Sequence, residues 1–336
     1  MIRLKDVAVH CGVSVATVSK ALNGMPGIGE ATVKRVWQAA QDMGYLPNAA
    51  ARALKTKRTS SIGVLLFLRD VSPTAHEYVS RILTAIQEEA ERNRYDITLI
   101  SRYVTDTMGS YLNHCRSRSY DGLIVMSGTY NEPTLMELIG SEIPLVTIDA
   151  CFEGRSGVMS DNLGGMREIV AYILGKGHRR IAFIHGEKTR VTNDRIISCL
   201  ETLEKAGIPM PPEYLRPALF HDPQSSACQT EALLALPQPP TCIIYPDDFS
   251  LLGGKTTLEQ RGMHAPEDIS FAGYDGILMS QVMHPKVCTL QQDAEGIGRS
   301  AMQLLRRAIE EPMHYVPQRL VLPGKLLKGE SVACVP

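Results

Sequence analysis

The chain has 336 residues, more than one hydrophobic core usually holds, so two or more domains are expected. With 44% hydrophobic and 21% charged residues it is composed like an ordinary globular protein, and no apolar run approaches the roughly 18 residues that span a membrane. The net charge of −1 hides an asymmetry: residues 1–60 carry nine Lys/Arg against three Asp/Glu, a net of +6, which leaves −7 on the remainder. A basic unit ahead of an acidic body points to a polyanionic partner at one end. The eight cysteines form no C-x-x-C pair and have no zinc-ligand spacing to histidine, so no metal or cofactor is expected. They read as reduced, and Arg3, Lys5 and Asp6 stand where a signal segment would begin. The expected location is therefore the cytoplasm, with no membrane partner.

The stretch Leu4–Asn23, LKDVAVHCGVSVATVSKALN, reads as two short helices, roughly Leu4–Cys11 and Val15–Leu22, joined by Gly12-Val13-Ser14. Ala8 is small enough for a close helix crossing, Gly12 can take a positive φ at the end of the first helix, and Val18 points into the core. Such a unit puts the start of its second helix into a DNA major groove. The breaker-rich loop GMPGIG follows, then a third helix from about Glu30 to Met43. There Val33, Val36, Trp37 and Ala40 recur at helical spacing and should pack on the first two. Gly44 ends it, Tyr45-Leu46-Pro47 is extended, and Asn48 can cap a short alanine-rich helix, Ala49–Lys55. Thr59-Ser60-Ser61 is a linker.

From Ile62 onward short apolar runs alternate with helical patterns. IGVLLF, ITLI, GLIVM (122–126), PLVTID (144–149), IAFIH (181–185), CIIYP (242–246) and ISFAGYD (269–275) read as strands. Helices lie at Val79–Asn93, 163–174, near 194–205 and near 250–261. About nine strands over this length imply two parallel sheets built from βαβ units. Ligands in such sheets bind beyond the carboxyl ends of the strands, which singles out Asp149, the stretch after His185, Asp247, Asp248 and Asp275.

Certain stretches together carry a family resemblance: KDVA..CGVS.ATVSKALNG, GYLPNAAARAL, YDGLIV (120–125), PLVTID, SDN..GG (160–165), GHRRIAFIHG (177–186), EDISFAGYD (267–275) and P..CTL (285–290). From about Leu4 to Ser331 the chain resembles the lactose-repressor (LacI/GalR) family of bacterial transcription regulators. The resemblance implies an all-α helix-turn-helix headpiece and an α/β two-lobed body like a periplasmic sugar-binding protein, with parallel sheets and three crossovers. It implies a DNA-binding domain at 1–45, a hinge helix and linker at 46–61, an N-terminal lobe at 62–160 with 291–322, and a C-terminal lobe at 161–290 with 323–336. It also implies a dimer on a palindromic operator and a small effector held between the lobes.

On that resemblance Val15, Ala16 and Lys20 fall at base-reading positions, with Lys20 where the family most often has arginine. Ser14, Thr17, Ser19 and Asn23 are candidates for phosphate or base contacts, and Ser14 reads equally as a plain helix N-cap. Arg3 and Gly29 replace a capping Thr and Ser. Leu54 falls on the position that wedges into the minor groove, flanked by Arg52 and Lys55. Asp149, Arg195, Asp247 and Asp275 fall on effector-binding positions, and Phe220 near a ring-stacking one; Asp247 stands where the family usually has asparagine. Carboxylates and an arginine beside an aromatic face suit a sugar's vicinal hydroxyls. The alternative effectors are a purine or a phosphorylated sugar. RDVSPTAHEYV (69–79) departs from the family's turn after the first strand; His76 and Tyr78 there could touch ligand but read more readily as a solvated loop.

A rival class, a ligand-binding protein or enzyme on the same body, would leave the basic N-terminus unexplained. No catalytic constellation supports it: GGKT (253–256) has Phe249 where a phosphate loop needs its first glycine, and the nine histidines show no triad or metal spacing.

Overall fold

The computed structural model describes residues 2–22, 25–45, 58–67, 76–101, 103–127, 130 and 132–335. Asn23, Arg52, Leu54 and Lys55 lie outside them. The chain divides into two compact units, Met1–Ser60 and Ser61–Pro336.

The first unit holds α1 (Leu4–Cys11), α2 (Val15–Leu22) and α3 (Glu30–Asp42) around a core of Val7, Ala8, Cys11, Val18, Ala21, Val36, Ala39 and Ala40. Gly12 takes φ 62° and its N–H meets the Ala8 and Val9 carbonyls, closing α1 where the sequence placed the turn. The cap of α1 is rebuilt rather than lost. Arginine has no acceptor to offer at the N-cap, and Asp6 reaches back to accept the Arg3 N–H at 2.8 Å. Trp37 does not join the core as expected; it is 45% exposed. Val36 and Ala40, one turn apart, define the buried stripe, and the next residue along is rotated about 100° away from it.

The second unit contains, among the described residues, two six-stranded sheets. The first has the order β11-β5-β4-β3-β1-β2 and is parallel throughout. Its strands are β1 (Ser61–Phe67), β2 (Asp96–Ile100), β3 (Gly122–Ser127), β4 (Leu145–Ile148), β5 (Ser156–Ser160) and β11 (Arg319–Leu322). The second has the order β12-β10-β9-β8-β6-β7, with β12 antiparallel at its edge. It comprises β6 (Ile181–His185), β7 (Leu215–Pro217), β8 (Cys242–Ile244), β9 (Ser270–Asp275), β10 (Cys288–Gln291) and β12 (Lys325–Leu327). Twelve strands replace the nine expected. The extra ones are short or polar, as in the Ser-Gly-Val-Met-Ser of β5, and give no periodic signal.

In the first lobe α4 (Glu77–Arg92), α5 (Val104–Met108), α6 (Tyr111–Arg118) and α7 (Pro133–Ile139) accompany the sheet. In the second, α8 (Asn162–Gly175), α9 (Arg190–Lys205), α10 (Pro223–Leu234), α11 (Leu251–Gln260) and α12 (Leu278–Val282) do so. The chain crosses between lobes three times. It leaves β5 for α8, which buries Met166, Ile169, Val170 and Ile173 in the second core, and returns from β10 to α13 (Ala294–Glu310), which buries Ile297, Ala301 and Leu305 in the first. It crosses again between β11 and β12. The GGKT stretch lies in α11, where its glycines make room for packing: a Cβ on Gly253 would fall 1.7 Å from the Pro223 carbonyl oxygen. Among the described residues no helix is long and apolar enough to cross a membrane.

Candidate functional site

Two places collect the residues that the sequence singles out. The first is α2. Val18 and Ala21 are buried on its inner face, which leaves Val15, Ala16 and Lys20 exposed on the opposite one. Ser14 caps the helix: its Oγ accepts the Thr17 N–H at 3.0 Å and lies 2.9 Å from the Thr17 hydroxyl. The cap consumes part of Ser14's bonding capacity and fixes Thr17 beside it. The start of the helix therefore presents small polar groups, an isopropyl group and a methyl group in a rigid array.

The second place lies where the carboxyl ends of the strands from both lobes meet. Asp149 follows β4, Asp247 and Asp248 follow β8, and Asp275 ends β9. Arg195, on α9, is buried and held from three sides. Its Nε donates to Asn162 Oδ1 at 2.8 Å, its NH1 group donates to the Pro246 carbonyl at 3.0 Å, and its guanidinium stands 3.4 Å from the Tyr274 ring centroid. The Phe220 ring lies 5.8 Å away on another side. That ring can sit there because residue 186 is glycine; a Cβ would fall 2.3 Å from it. Asp149, Arg195, Phe220, Asp247 and Asp275 thus converge, although they come from five different segments.

Asp247 differs from its fellows. Its carboxylate accepts the Ser250 N–H and hydroxyl, each at 2.7 Å, and the His221 N–H at 2.9 Å, and it lies 3.5 Å from His221 Nδ1. Its oxygens are taken by the chain's own donors, so it holds the His221 loop in place.

Residues that sequence reasoning ranked low (His76, Tyr78) or missed (Ser160, His221, Tyr274) complete the wall. Tyr78, read as part of a solvated loop, is 7% exposed on the first turn of α4, and its hydroxyl has no partner. The Tyr274 hydroxyl and Ser160 Oγ are likewise buried without partners. Buried polar groups are almost always hydrogen-bonded, so these hydroxyls are exceptions, and Tyr78 among them lies within the field of Asp149 and Asp275. His76, also read as solvated, is buried and meets His221 of the other lobe ring nitrogen to ring nitrogen. Neither position has a sequence signal; each acquires its role only by tertiary placement.

Electrostatics and backbone geometry mark the same place. Burial pushes the Asp149 carboxyl up to about 6, with the Arg195 charge working against the rise and Asp275 adding to it. Burial, then Asp247, raises Asp275 as well. Burial drives Asp248 far above the usual carboxylate range. Burial likewise lifts the Tyr78 phenol, followed by the charges of Asp149 and Asp275. Asp149, His221 and Asp275 adopt φ 62°, 55° and 102°, a region that side chains with a Cβ seldom enter. Such strain gathers where the surroundings over-determine a functional geometry.

Comparison with known proteins identifies the family. Residues 3–48 match the family described as bacterial regulatory proteins, lacI family, and residues 170–332 match a periplasmic binding protein-like domain. The chain belongs to the lacI family of bacterial regulatory proteins. An HTH-type transcriptional repressor PurR from Actinobacillus pleuropneumoniae serotype 3 (strain JL03) is 28% identical over 337 residues, covering 99% of this chain and 98% of that protein. The solved structure of a transcriptional regulator CelR–cellobiose complex is 25% identical with a TM-score of 0.74, covering 98% of this chain and all of that one. The lac repressor dimer bound to operator and the anti-inducer ONPF shares the fold at a TM-score of 0.82 and 23% identity, covering 99% of each chain. As a lacI-family protein the chain is a DNA-binding transcriptional repressor, and the family is one of regulators, not enzymes.

Proposed function

We propose that this lacI-family repressor acts in the cytoplasm as a homodimer on a palindromic operator, and that a small polyhydroxylated effector, a sugar, bound between its lobes controls operator affinity. The observation that carries the effector reading is the set of buried, unpartnered hydroxyls of Tyr78, Ser160 and Tyr274 beside Asp149, Asp275 and Arg195. Each carboxylate can accept two hydroxyl protons, Arg195 can donate in a fork, and the Phe220 ring offers a face for the apolar side of a pyranose. Asp247 contributes through His221. The excess of carboxylates over arginine disfavours a phosphorylated sugar. The cellobiose bound by the CelR relative supports a sugar. The relatives named PurR favour a second reading, a purine stacked on Phe220.

On the DNA side Val15, Ala16 and Lys20 read base edges, while Ser14, Thr17, Ser19 and Asn23 contact backbone or bases. Arg52 and Lys55 reach phosphates and Leu54 wedges the minor groove from a hinge at 46–61. The domain limits proposed are 1–45 for the DNA-binding unit, 62–160 with 291–322 for one lobe, and 161–290 with 323–336 for the other.

Two measurements test this. Gel shifts of the full chain on its own promoter region should give salt-sensitive binding to a palindromic site; an absence of such binding refutes the DNA reading. Thermal shifts against neutral sugars, sugar phosphates and purines should respond to a neutral sugar; a response to purines alone replaces the sugar with the second reading.

A further inference from the structure

We propose that His76 and His221 form a proton-sensitive clasp that holds the two lobes together, with Glu77 as its second tie. The clasp is built from consecutive residues at the start of α4. His76 Nε2 meets His221 Nε2 across the lobes. The Glu77 carboxylate accepts the Leu278 N–H from the second lobe at 2.9 Å to each oxygen. Nothing in this depends on which effector the cleft holds.

The tautomers follow from the partners. His76 Nδ1 accepts the Val79 N–H at 3.5 Å, so His76 carries its proton on Nε2 and donates to His221. His221 Nδ1 faces Asp247 Oδ1 at 3.5 Å, so His221 carries its proton on Nδ1 and accepts at Nε2. Asp247 is fixed in turn by the Ser250 N–H and hydroxyl. Contacts run from the Val79 N–H through both imidazoles to the buried Asp247 carboxylate, with each ring nitrogen facing one partner. Neither ring has a free lone pair. An added proton on His76 must sit on Nδ1 against the Val79 N–H; one on His221 must sit on Nε2 against the His76 proton. On His221 the added proton faces the His76 proton and the cross-lobe bond is lost; on His76 it breaks the Val79 contact that fixes the ring at the start of α4, while Nε2–H still faces His221.

The groups around the pair are Glu77 and Tyr78 on α4, Asp247 and Asp275 at the strand ends, and Asp222 and the Phe220 ring on the His221 loop, with Glu187 holding the Phe220 N–H. Burial, then His221, lowers His76 to about 3, with Asp247 opposing. A histidine held neutral in the closed form favours closure fully above its ordinary 6.5, and closure weakens as pH falls below that value. One proton sets the ceiling at about tenfold in the closed-to-open ratio for each pH unit.

The test uses the full chain without effector, so its failure is distinct from failure of the sugar reading. In histidine-labelled protein, ¹⁵N NMR should find His76 as the Nε2–H tautomer and His221 as the Nδ1–H tautomer at pH 7.5. Exchange of the Leu278 amide, corrected for its intrinsic pH dependence, should quicken as pH falls from 7.5 to 5.5, by up to tenfold. His76→Phe should exchange fast at both pH values, with circular dichroism confirming its fold. The clasp is refuted if His76 titrates near 6.5 while Leu278 stays protected. It is equally refuted if His76→Phe keeps the parent's pH dependence.

Discussion

Asp149→Asn should make this protein more stable while damaging its response to effector. The Asp149 carboxyl is raised from 3.8 to about 6, chiefly by burial, and that value already includes the attraction of Arg195. The sign is the reverse of the common carboxylate case. A folded-state value above the unfolded one means that stability is fullest below 3.8 and is lost as pH rises through about 6. At about 1.4 kcal/mol for each tenfold change in proton affinity, ionised Asp149 costs the fold up to about 3 kcal/mol at pH 7.5 and about 1 kcal/mol at pH 4.5. Asparagine is nearly isosteric and tolerates the φ of 62° found here, so little new strain opposes the gain. Thermal unfolding followed by circular dichroism should give the variant a Tm roughly 5–10 °C higher at pH 7.5, with a smaller gain at pH 4.5. Effector affinity should fall about tenfold or more, because the amide offers one acceptor where the carboxylate offered two. A variant less stable than the parent at pH 7.5, or one whose gain does not shrink at low pH, refutes the assignment of Asp149 as a destabilising, ligand-facing acid.

Gly186→Ala should displace the Phe220 ring, since the new methyl falls 2.3 Å from it; isothermal titration should find effector binding weakened at least tenfold with the gel-shift pattern on DNA intact. Ser14→Ala removes the cap on the Thr17 N–H, and should cost about 1 kcal/mol in denaturant unfolding of the first unit and weaken operator binding. Trp37 is the chain's one tryptophan and lies in the first unit, 45% exposed; its fluorescence should change on titration with promoter DNA and stay constant with effector. Lys20→Ala should lower DNA affinity and reduce the slope of log K against log salt by about one if Lys20 meets a phosphate, whereas a base contact predicts altered operator preference at unchanged slope.

What the sequence disclosed was whatever rests on local periodicity. The α2 stripe, the Gly12 turn and the strand-end carboxylates all follow from apolar spacing and from the rule that ligands bind beyond strand ends. What it hid was long-range. His76 and His221 are 145 residues apart; His76 read chiefly as a solvated loop residue, and no local pattern singles out His221. Tyr78 looked solvated because the helix was expected to begin at Val79; starting it at Glu77 turns Tyr78 inward. Asp247 was legible as an acid near the cleft, but its saturation by Ser250 and His221 depends on the fold of two loops. Trp37 was misplaced by an apolar pattern wider than the stripe that three helices in a small unit can cover.

On the proposed effector reading, the turn after β9 joins these features. Asp275 accepts Gln292 Nε2–H at 2.7 Å and faces the cleft at φ 102°. The next three backbone N–H groups each go to a side chain from a different element. Gly276 donates to Thr289 Oγ1 on β10, Ile277 donates to Asp248 Oδ2 beyond β8, and Leu278 donates to Glu77 of the opposite lobe. Gly276 is pressed against Gln291, where a Cβ would fall 2.4 Å from the Gln291 Cα. A ligand that draws Asp275 therefore cannot move it alone; the displacement passes within three residues to the Glu77 contact and to α12, whose Leu278 and Val282 are 67% and 71% exposed. A ligand shifts an equilibrium only by its differential affinity for the two states. Here that difference has a physical location: a guest bonded to Asp275 while the Glu77 contact is made stabilises the closed lobes, and one that fits only with that contact broken stabilises the open ones. Inducer and corepressor behaviour can thus arise from the same residues, decided by which side of the Leu278 N–H contact the bound ligand favours.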